Sequence, residues 1–311
     1  MMFRKFICVI SCVLMLSSSA SAEIIPIPWE QEVMNEVNES FYISEREYED
    51  PSLHVTIEEG IYNNTSYLVA RVKIADPTQI RAYVTENRNL NKYPKKYGTE
   101  LAEYVNAVFA ISGDIMNLDK SKAGSKAGKH ITRHYETWLT NAKPNKKGEG
   151  ILDILIIDSD GNMTIIPKCT EDDINNLDVS IVSTYSFGPG LVIDSKQVTD
   201  YSKYGMNYGA RKRAQRICIG QTGPLEYIAV YSAGPDQKTP EGKKCKGLTI
   251  SEFADLVYAQ GDVINAYNLD GGTSTWMVFR NERLNVFGDR KKNAIADIIY
   301  FASAWVEDKD E

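Results

Sequence analysis

The feature that most constrains the fold is a series of short apolar runs, separated by turn signals, that begins at Leu53. Some runs alternate with polar residues, as half-buried strands do, and others are continuously apolar, as strands buried on both faces are. The predicted strands cover residues 66–74, 79–85, 107–111, 151–157, 163–166, 216–220, 225–232, 263–269, 275–279 and 295–300. Hairpins and a helix connect them, so the sequence predicts an α+β fold, a single domain of mixed β-sheets flanked by helices.

Two segments have helical patterns. Thr249 and Glu252 have the spacing of a capping box, apolar residues follow at helical intervals, and Gly261 ends the segment. Near the N-terminus, residues 29–37 place four apolar side chains on one helical face, which predicts a short amphipathic helix. We therefore expect an N-terminal helical segment at 23–52 and the main domain at 53–306.

Residues 1–22 have the features of a secretory signal peptide. Arg4 and Lys5 precede an apolar core, and Ala20-Ser21-Ala22 is a small-residue cleavage site, so we expect export with cleavage after Ala22. The core is too short for a stable transmembrane helix. The full chain has 35 basic and 42 acidic residues. Cleavage after Ala22 would remove two basic residues, Arg4 and Lys5, and would leave the mature chain with a more negative net charge. This acidic balance argues against a nucleic-acid binder, and the sequence does not indicate an oligomeric state.

Cysteine and turn motifs carry little chemistry. The mature chain would keep Cys169, Cys218 and Cys245, which allow at most one disulfide, and no CxxC motif or nearby histidine supports zinc or a cysteine nucleophile. Residues 158–161 predict a hairpin turn, because the later positions of a calcium-binding loop are not matched. The lysine-rich residues 120–129 predict a solvated loop, with a lid facing a polyanion as the alternative.

Two acidic residues lie next to glycines at the ends of predicted strands. Asp114 follows Gly113, and Asp270 precedes Gly271 and Gly272. Glycines allow a ligand to approach the backbone closely, and a carboxylate there can act as a base, a nucleophile or a ligand of a hard cation. The same pattern is also an ordinary signal for a strand followed by a turn, so these residues alone leave the function open.

Four ordered blocks together resemble the phosphodiester glycosidase family. They are Phe109-Ala110-Ile111-Ser112-Gly113-Asp114, Tyr185-Ser186-Phe187-Gly188-Pro189-Gly190-Leu191-Val192, Arg216-Ile217-Cys218-Ile219-Gly220-Gln221, and the segment from Gly247-Leu248-Thr249 through Asn268-Leu269-Asp270-Gly271-Gly272-Thr273-Ser274-Thr275. The resemblance spans about residues 55–301. Ser112 replaces an asparagine of the family, Thr273 replaces a glycine, and Ser232 stands where an aspartate is common.

The resemblance implies a secreted hydrolase that cleaves a sugar from a sugar-1-phosphodiester. Its implied catalytic residues are Asp114, Asp270 and Arg216, with Arg216 as the phosphate clamp. The implied substrate-binding residues are Ser112, Gly113, Asn268, Gly271, Gly272, Ser274 and Thr275. No cofactor is expected, although Asp114, Asp270 and Asn268 offer oxygen ligands for a divalent cation.

Two other functions stay open at the level of sequence. A catalytically weakened member would bind a cell-envelope glycan or a phosphate polymer without cleaving it. A hydrolase that has the same fold but cleaves the P–O bond is the second of these alternatives. The departures at Ser112 and Ser232 could tune substrate choice or abolish turnover, and the sequence does not separate these outcomes.

Overall fold

The computed structural model describes residues 23–85, 94–114, 132–134, 137–140, 153–201, 212–287 and 292–306. The predicted signal peptide and the lysine-rich stretch lie outside these ranges. In chain order the strands are β1 (Glu23–Ile24), β2 (Tyr42–Ser44), β3 (Glu47–Glu49), β4 (Leu53–Tyr62), β5 (Thr65–Ile74), β6 (Ile80–Val84), β7 (Phe109–Ser112), β8 (Thr132–His134), β9 (Thr137–Thr140), β10 (Ile154–Asp158), β11 (Met163–Ile166), β12 (Ile181–Tyr185), β13 (Gly190–Ile193), β14 (Lys196–Gln197), β15 (Arg216–Gly223), β16 (Glu226–Ser232), β17 (Asn265–Asn268), β18 (Met277–Phe279), β19 (Glu282–Arg283), β20 (Asp297–Phe301) and β21 (Trp305–Val306).

Helices are few and short in the described ranges. The α-helices are α1 (Gly98–Tyr104), α2 (Glu171–Asn175) and α3 (Ile250–Tyr258), and 3-10 turns occur at Glu39–Phe41, Pro77–Gln79 and Gly272–Ser274. The predicted capping box of α3 is confirmed, because the Thr249 hydroxyl accepts the main-chain N–H of Glu252 and the Glu252 carboxylate accepts that of Thr249. No helix in these ranges is long and apolar enough to cross a membrane.

The strands form one nine-stranded sheet, two five-stranded sheets and one two-stranded sheet. The nine-stranded sheet has the order β14-β13-β17-β15-β16-β5-β4-β3-β2, and one five-stranded sheet has the order β19-β18-β7-β20-β6. A further five-stranded sheet has the order β11-β10-β12-β8-β9, and β1 pairs with β21. The main apolar core contains residues of the nine-stranded sheet and of both five-stranded sheets, and a second core lies beneath α3.

The prediction of mixed sheets is wrong in one respect: every strand pair in the described residues is antiparallel. The helix-linked connection from β16 through α3 to β17 would give parallel neighbours if it joined adjacent strands. It crosses over β15 instead, and β17 pairs antiparallel with β15. The α+β description therefore holds with sheets that dominate and helices that cover them only modestly.

The N-terminal segment differs from its prediction, because no helix forms over residues 29–37. The backbone there makes a turn at Trp29 and Glu30. The buried guanidinium of Arg81 donates to the carbonyls of Pro28 and Trp29 at 3.0 Å and of Gln31 at 2.8 Å. A helix would direct carbonyl groups into its own hydrogen bonds, so this buried cation favours the open backbone.

The hairpin predicted at residues 158–161 is confirmed, and the three cysteines of the predicted mature chain form no disulfide. β10 and β11 form the predicted hairpin, and the Asp158 carboxylate accepts the main-chain N–H of Asp160 and of Asn162 within the turn. Cys169, Cys218 and Cys245 are buried and free. Burial raises the pKa of the Cys169 and Cys218 thiols to about 12, which keeps them in the unreactive thiol form.

We expect Arg81→Ala to destabilise the protein by about 3 kcal/mol, because several charge-assisted hydrogen bonds from a buried guanidinium to partly buried carbonyls are lost. Urea unfolding of wild type and variant measures this difference. The matched control is Arg71→Ala, whose exposed guanidinium donates to the Gln260 carbonyl at 2.8 Å. Equal effects of the two substitutions would show that the Arg81 contacts do not hold the N-terminal segment.

Candidate active site

Three aspartates from two sheets meet where strands end. Asp114 follows β7, Asp270 follows β17, and Asp297 is the first residue of β20. The main-chain N–H of Asp270 donates to the carbonyl of Gly113 at 3.4 Å, and the N–H of Asp114 donates to a carboxylate oxygen of Asp297 at 2.7 Å. The structure therefore brings Asp114 and Asp270, both predicted site residues, to one place.

Asp114 is held in a fixed orientation by the block around Ser186. One carboxylate oxygen accepts the main-chain N–H of Ser186 at 2.6 Å and its hydroxyl at 3.1 Å. Only 5% of Asp114 is exposed. Hydrogen bonds of this kind stabilise a carboxylate that burial would otherwise penalise, so the second family-like block serves to orient the first.

The pKa of Asp270 is raised by its surroundings. Burial raises its pKa from 3.8 to about 6, and the charge of Asp114 raises it further, while the Ser274 hydroxyl, the Gly271 N–H and Lys95 oppose the shift. Part of the residue is still accessible to solvent. A carboxyl group with an acidity close to neutral pH is suited to proton transfer.

Sequence reasoning missed Asp297. Only 1% of this residue is exposed, and burial followed by the charges of Asp114 and Asp270 raises its pKa well above the ordinary aspartate value. Gly113 passes so close that a Cβ atom there would overlap the Asp297 carboxylate. The sequence does contain a signal for a buried carboxyl group here, because Asp297 begins a strand whose other residues are all apolar or aromatic.

The turn over residues 271–275, which contains four of the predicted substrate-binding residues, directs donors into the protein. The N–H of Gly272 donates to the carbonyl of Gln215 at 2.9 Å, and the Thr275 hydroxyl contacts the side-chain oxygen of Gln215 at 3.0 Å. Gly272 has a φ of 65°, a conformation that favours glycine. In this structure Gly271 and Ser274 bond the Asp270 carboxyl group, so the turn positions that acid.

A buried lysine, also missed, supports this turn from below. The ammonium of Lys292 donates to the Gln215 side-chain oxygen and, at 2.9 Å, to the Thr275 hydroxyl. Burial lowers the pKa of Lys292 to about 7, the positive charge of Arg283 lowers it further, and Asp236 opposes both effects. Nothing in the local sequence distinguished Lys292 from Arg290 and Lys291, the basic residues before it.

Arg216 lies at the start of β15 with its guanidinium buried. Its Nε donates to the carbonyl of Leu248 at 2.9 Å and its Nη2 to that of Lys212 at 2.8 Å. Burial lowers its pKa to about 10, an effect that Glu252 opposes, so the side chain stays cationic at neutral pH. Arg216 is opposite Ser232 in register, and Cys218 on the same face is opposite Asn268.

Two buried polar atoms on this face lack hydrogen-bond partners within the described ranges. They are the Ser232 hydroxyl and the side-chain oxygen of Asn268, whose amide nitrogen donates to the carbonyl of Gly188 at 2.8 Å. Unsatisfied buried polar atoms are rare, and they are typical of places where a ligand or water supplies the missing partner. The Ser112 hydroxyl, by contrast, already has a partner within the protein, because it accepts the main-chain N–H of Trp276 at 3.1 Å.

Metal ligands do not cluster in the part of the chain that the structure describes. No group of three or more His, Cys, Asp or Glu side chains there has an arrangement that could hold a metal ion. The lysine-rich residues 120–129 follow Asp114 in sequence but lie outside the described ranges, so their position relative to the site is still a prediction.

Comparisons with known proteins identify the family and the fold. A family model described as phosphodiester glycosidase matches residues 105–302. The catalytic domain of zebrafish N-acetylglucosamine-1-phosphodiester alpha-N-acetylglucosaminidase, auto-inhibited by its pro-peptide, shares the fold, with a TM-score of 0.61 and 16% identity over 81% of this chain and 84% of that one. A hypothetical protein from Synechocystis gives a TM-score of 0.48 at 14% identity, over 80% of this chain and 62% of the other. No curated protein sequence matches the chain.

We expect Asp114→Asn to lower the pKa of Asp270 from about 6 toward its ordinary value, because a negative neighbour is removed. The shift should be partial, since burial is the larger cause and is unchanged. Carbon-13 NMR titration of the aspartate carboxyl groups measures it. Asp172→Asn, on the exposed surface of α2, is the matched control. An unchanged titration in Asp114→Asn would show that the two carboxyl groups are not coupled.

Proposed function

The chain belongs to the phosphodiester glycosidase family, and we propose that it is an exported hydrolase that cleaves a sugar from a sugar-1-phosphodiester. The observation that carries this proposal is the coupling of Asp114 and Asp270 at the meeting point of two sheets. Export is inferred from the signal-like residues 1–22. Family membership supplies the reaction class, and the geometry supports a role for each acid.

The chemistry needs little acid catalysis, because a phosphate monoester is already a good leaving group. The bond between the anomeric carbon and the phosphate oxygen breaks, and the electron pair leaves with the phosphate. Positive charge then develops on the sugar ring, as in other glycoside hydrolyses. A carboxylate close to that ring stabilises the transition state by simple electrostatics.

Asp270 is the proposed proton acceptor or nucleophile of the reaction. Either role requires the ionised carboxylate, which predominates above a pH of about 6. As a base, Asp270 would take a proton from the attacking water. The donors from Ser274 and Gly271 stabilise its ionised form and fix its direction. Asp114, held by Ser186, is the proposed partner that balances the developing positive charge.

The substrate oxygens are assigned to the face of the nine-stranded sheet that carries Arg216. Its guanidinium is the proposed phosphate anchor, and burial strengthens its attraction for an anion. The unsatisfied oxygens of Ser232 and Asn268 are the proposed contacts for hydroxyl groups of the ligand. Lys95 acts on Asp270 electrostatically and adds positive charge at the exposed side of the site.

We expect the purified protein to hydrolyse a sugar-1-phosphodiester in heavy-oxygen water with the label in the sugar product, because attack occurs at the anomeric carbon. Mass spectrometry of both products locates the label. Label in the phosphate product would indicate P–O cleavage instead. Retained binding without turnover, measured by calorimetry, would indicate the weakened, glycan-binding member.

We expect Asp270→Asn to lower kcat by on the order of 10²-fold or more, as loss of a positioned base does. The fold should survive, because the amide oxygen can still accept the bonds that Ser274 and Gly271 donate. Steady-state kinetics and thermal unfolding at pH 7 measure the two effects. Asp172→Asn is again the control. A near-normal rate in folded Asp270→Asn would remove Asp270 from the mechanism.

A further inference from the structure

Asp297 is a buried carboxyl group to which the proposed reaction gives no role. It begins β20, where it is opposite Val84 of β6, and its neighbour Ile298 is opposite Ser112 of β7. Its carboxylate accepts the N–H of Asp114 at 2.7 Å, and its own carbonyl accepts the N–H of Gly113 at 3.3 Å. Both bonds fix the turn that carries Asp114, so the position of one proposed catalytic acid depends on Asp297.

The charged side chains that act on Asp297 in the described ranges are both acidic. The turn after β7 presents Asp114, the turn after β17 presents Asp270, and β6 presents Val84. None of the cationic side chains in the described ranges forms an ion pair with Asp297, and Lys95 acts on Asp270 instead. A third negative charge at this point would be buried, unpaired and repelled by two others.

We propose that Asp297 is a positioning residue that works as an uncharged carboxylic acid, fixes Asp114 through its main-chain N–H, and lowers turnover when it ionises as the pH rises. This inference rests on the proposed function for its effect on turnover. The neutral acid needs only one oxygen to accept the Asp114 N–H, and the hydroxyl oxygen then carries the proton. Its burial and its acidic neighbours support this state, since both raise the pKa of Asp297.

Ionisation of Asp297 would affect the reaction through its charge. The new negative charge would repel the anionic phosphodiester from the site. This repulsion would lower kcat/KM as the pH rises and would form the alkaline limb of the pH–rate profile.

Two substitutions separate the hydrogen bond from the charge. Asp297→Ala removes both, and we expect a loss in kcat of about 10²-fold at pH 7, the effect of a small misplacement of a catalytic group. Asp297→Asn keeps an oxygen that accepts the Asp114 N–H but cannot ionise. We expect it to restore most of the activity that alanine loses and to move the alkaline limb of kcat/KM upward by about one pH unit or more.

Stability against pH tests the uncharged state without any substrate. An aspartate with a raised pKa in the folded protein stabilises the fold below its unfolded pKa of about 4, and this contribution is lost as pH rises toward the folded value. Urea unfolding should therefore show Asp297→Asn gaining stability relative to wild type between pH 5 and pH 8. The Asp172→Asn control should show no such trend.

The outcomes distinguish the two proposals. If wild type fails to cleave the phosphodiester but Asp297→Asn shows the stability trend, the proposed function fails and the uncharged state of Asp297 stands. If wild type is active and the trend is absent, or if the alkaline limb is the same in wild type and Asp297→Asn, the inference about Asp297 is overturned. An equal loss of kcat in the asparagine and alanine variants would also overturn it.

Discussion

The hydrogen bond from the Asp114 N–H to the Asp297 carboxylate is the contact on which the site depends. It joins the end of β7 to the beginning of β20 and fixes the turn at Gly113. Asp270, which follows β17 of the nine-stranded sheet, reaches the same turn through its own N–H. One short turn therefore brings together acids from two sheets, and the apolar core between those sheets supplies the rigidity that the arrangement requires.

The second constraint is the burial of charge. Ionisation of all three neighbouring carboxyl groups in a buried site is unfavourable, because the charges repel one another and lose their hydration. Their pKa values therefore differ. Asp114 receives two donors from Ser186, Asp270 receives Ser274 and Gly271, and Asp297 receives a single main-chain N–H. Asp297 thus receives fewer donors than either of the other two acids, which favours its uncharged form.

Support for the site extends below the turn at residues 271–275. Gln215 accepts bonds from Gly272, Thr275 and Lys292, which makes it the centre of a buried polar network. Such networks specify a single arrangement when all members are satisfied. The unsatisfied oxygens of Ser232 and Asn268 lie on the Arg216 side, away from this satisfied network, which is why the substrate oxygens are assigned there.

The sequence by itself determined the local elements and the two acids that end strands beside glycines. Hairpin turns, the capping box of α3 and the family blocks are short-range patterns, so neighbouring residues were sufficient to predict them. Tertiary structure alone decided the rest. Asp297 and Lys292 act on residues distant in sequence, and their surroundings exist only after the sheets pack. The expected helix at 29–37 was replaced by a non-helical backbone because a distant buried cation, Arg81, binds its carbonyls, an interaction that no local periodicity encodes.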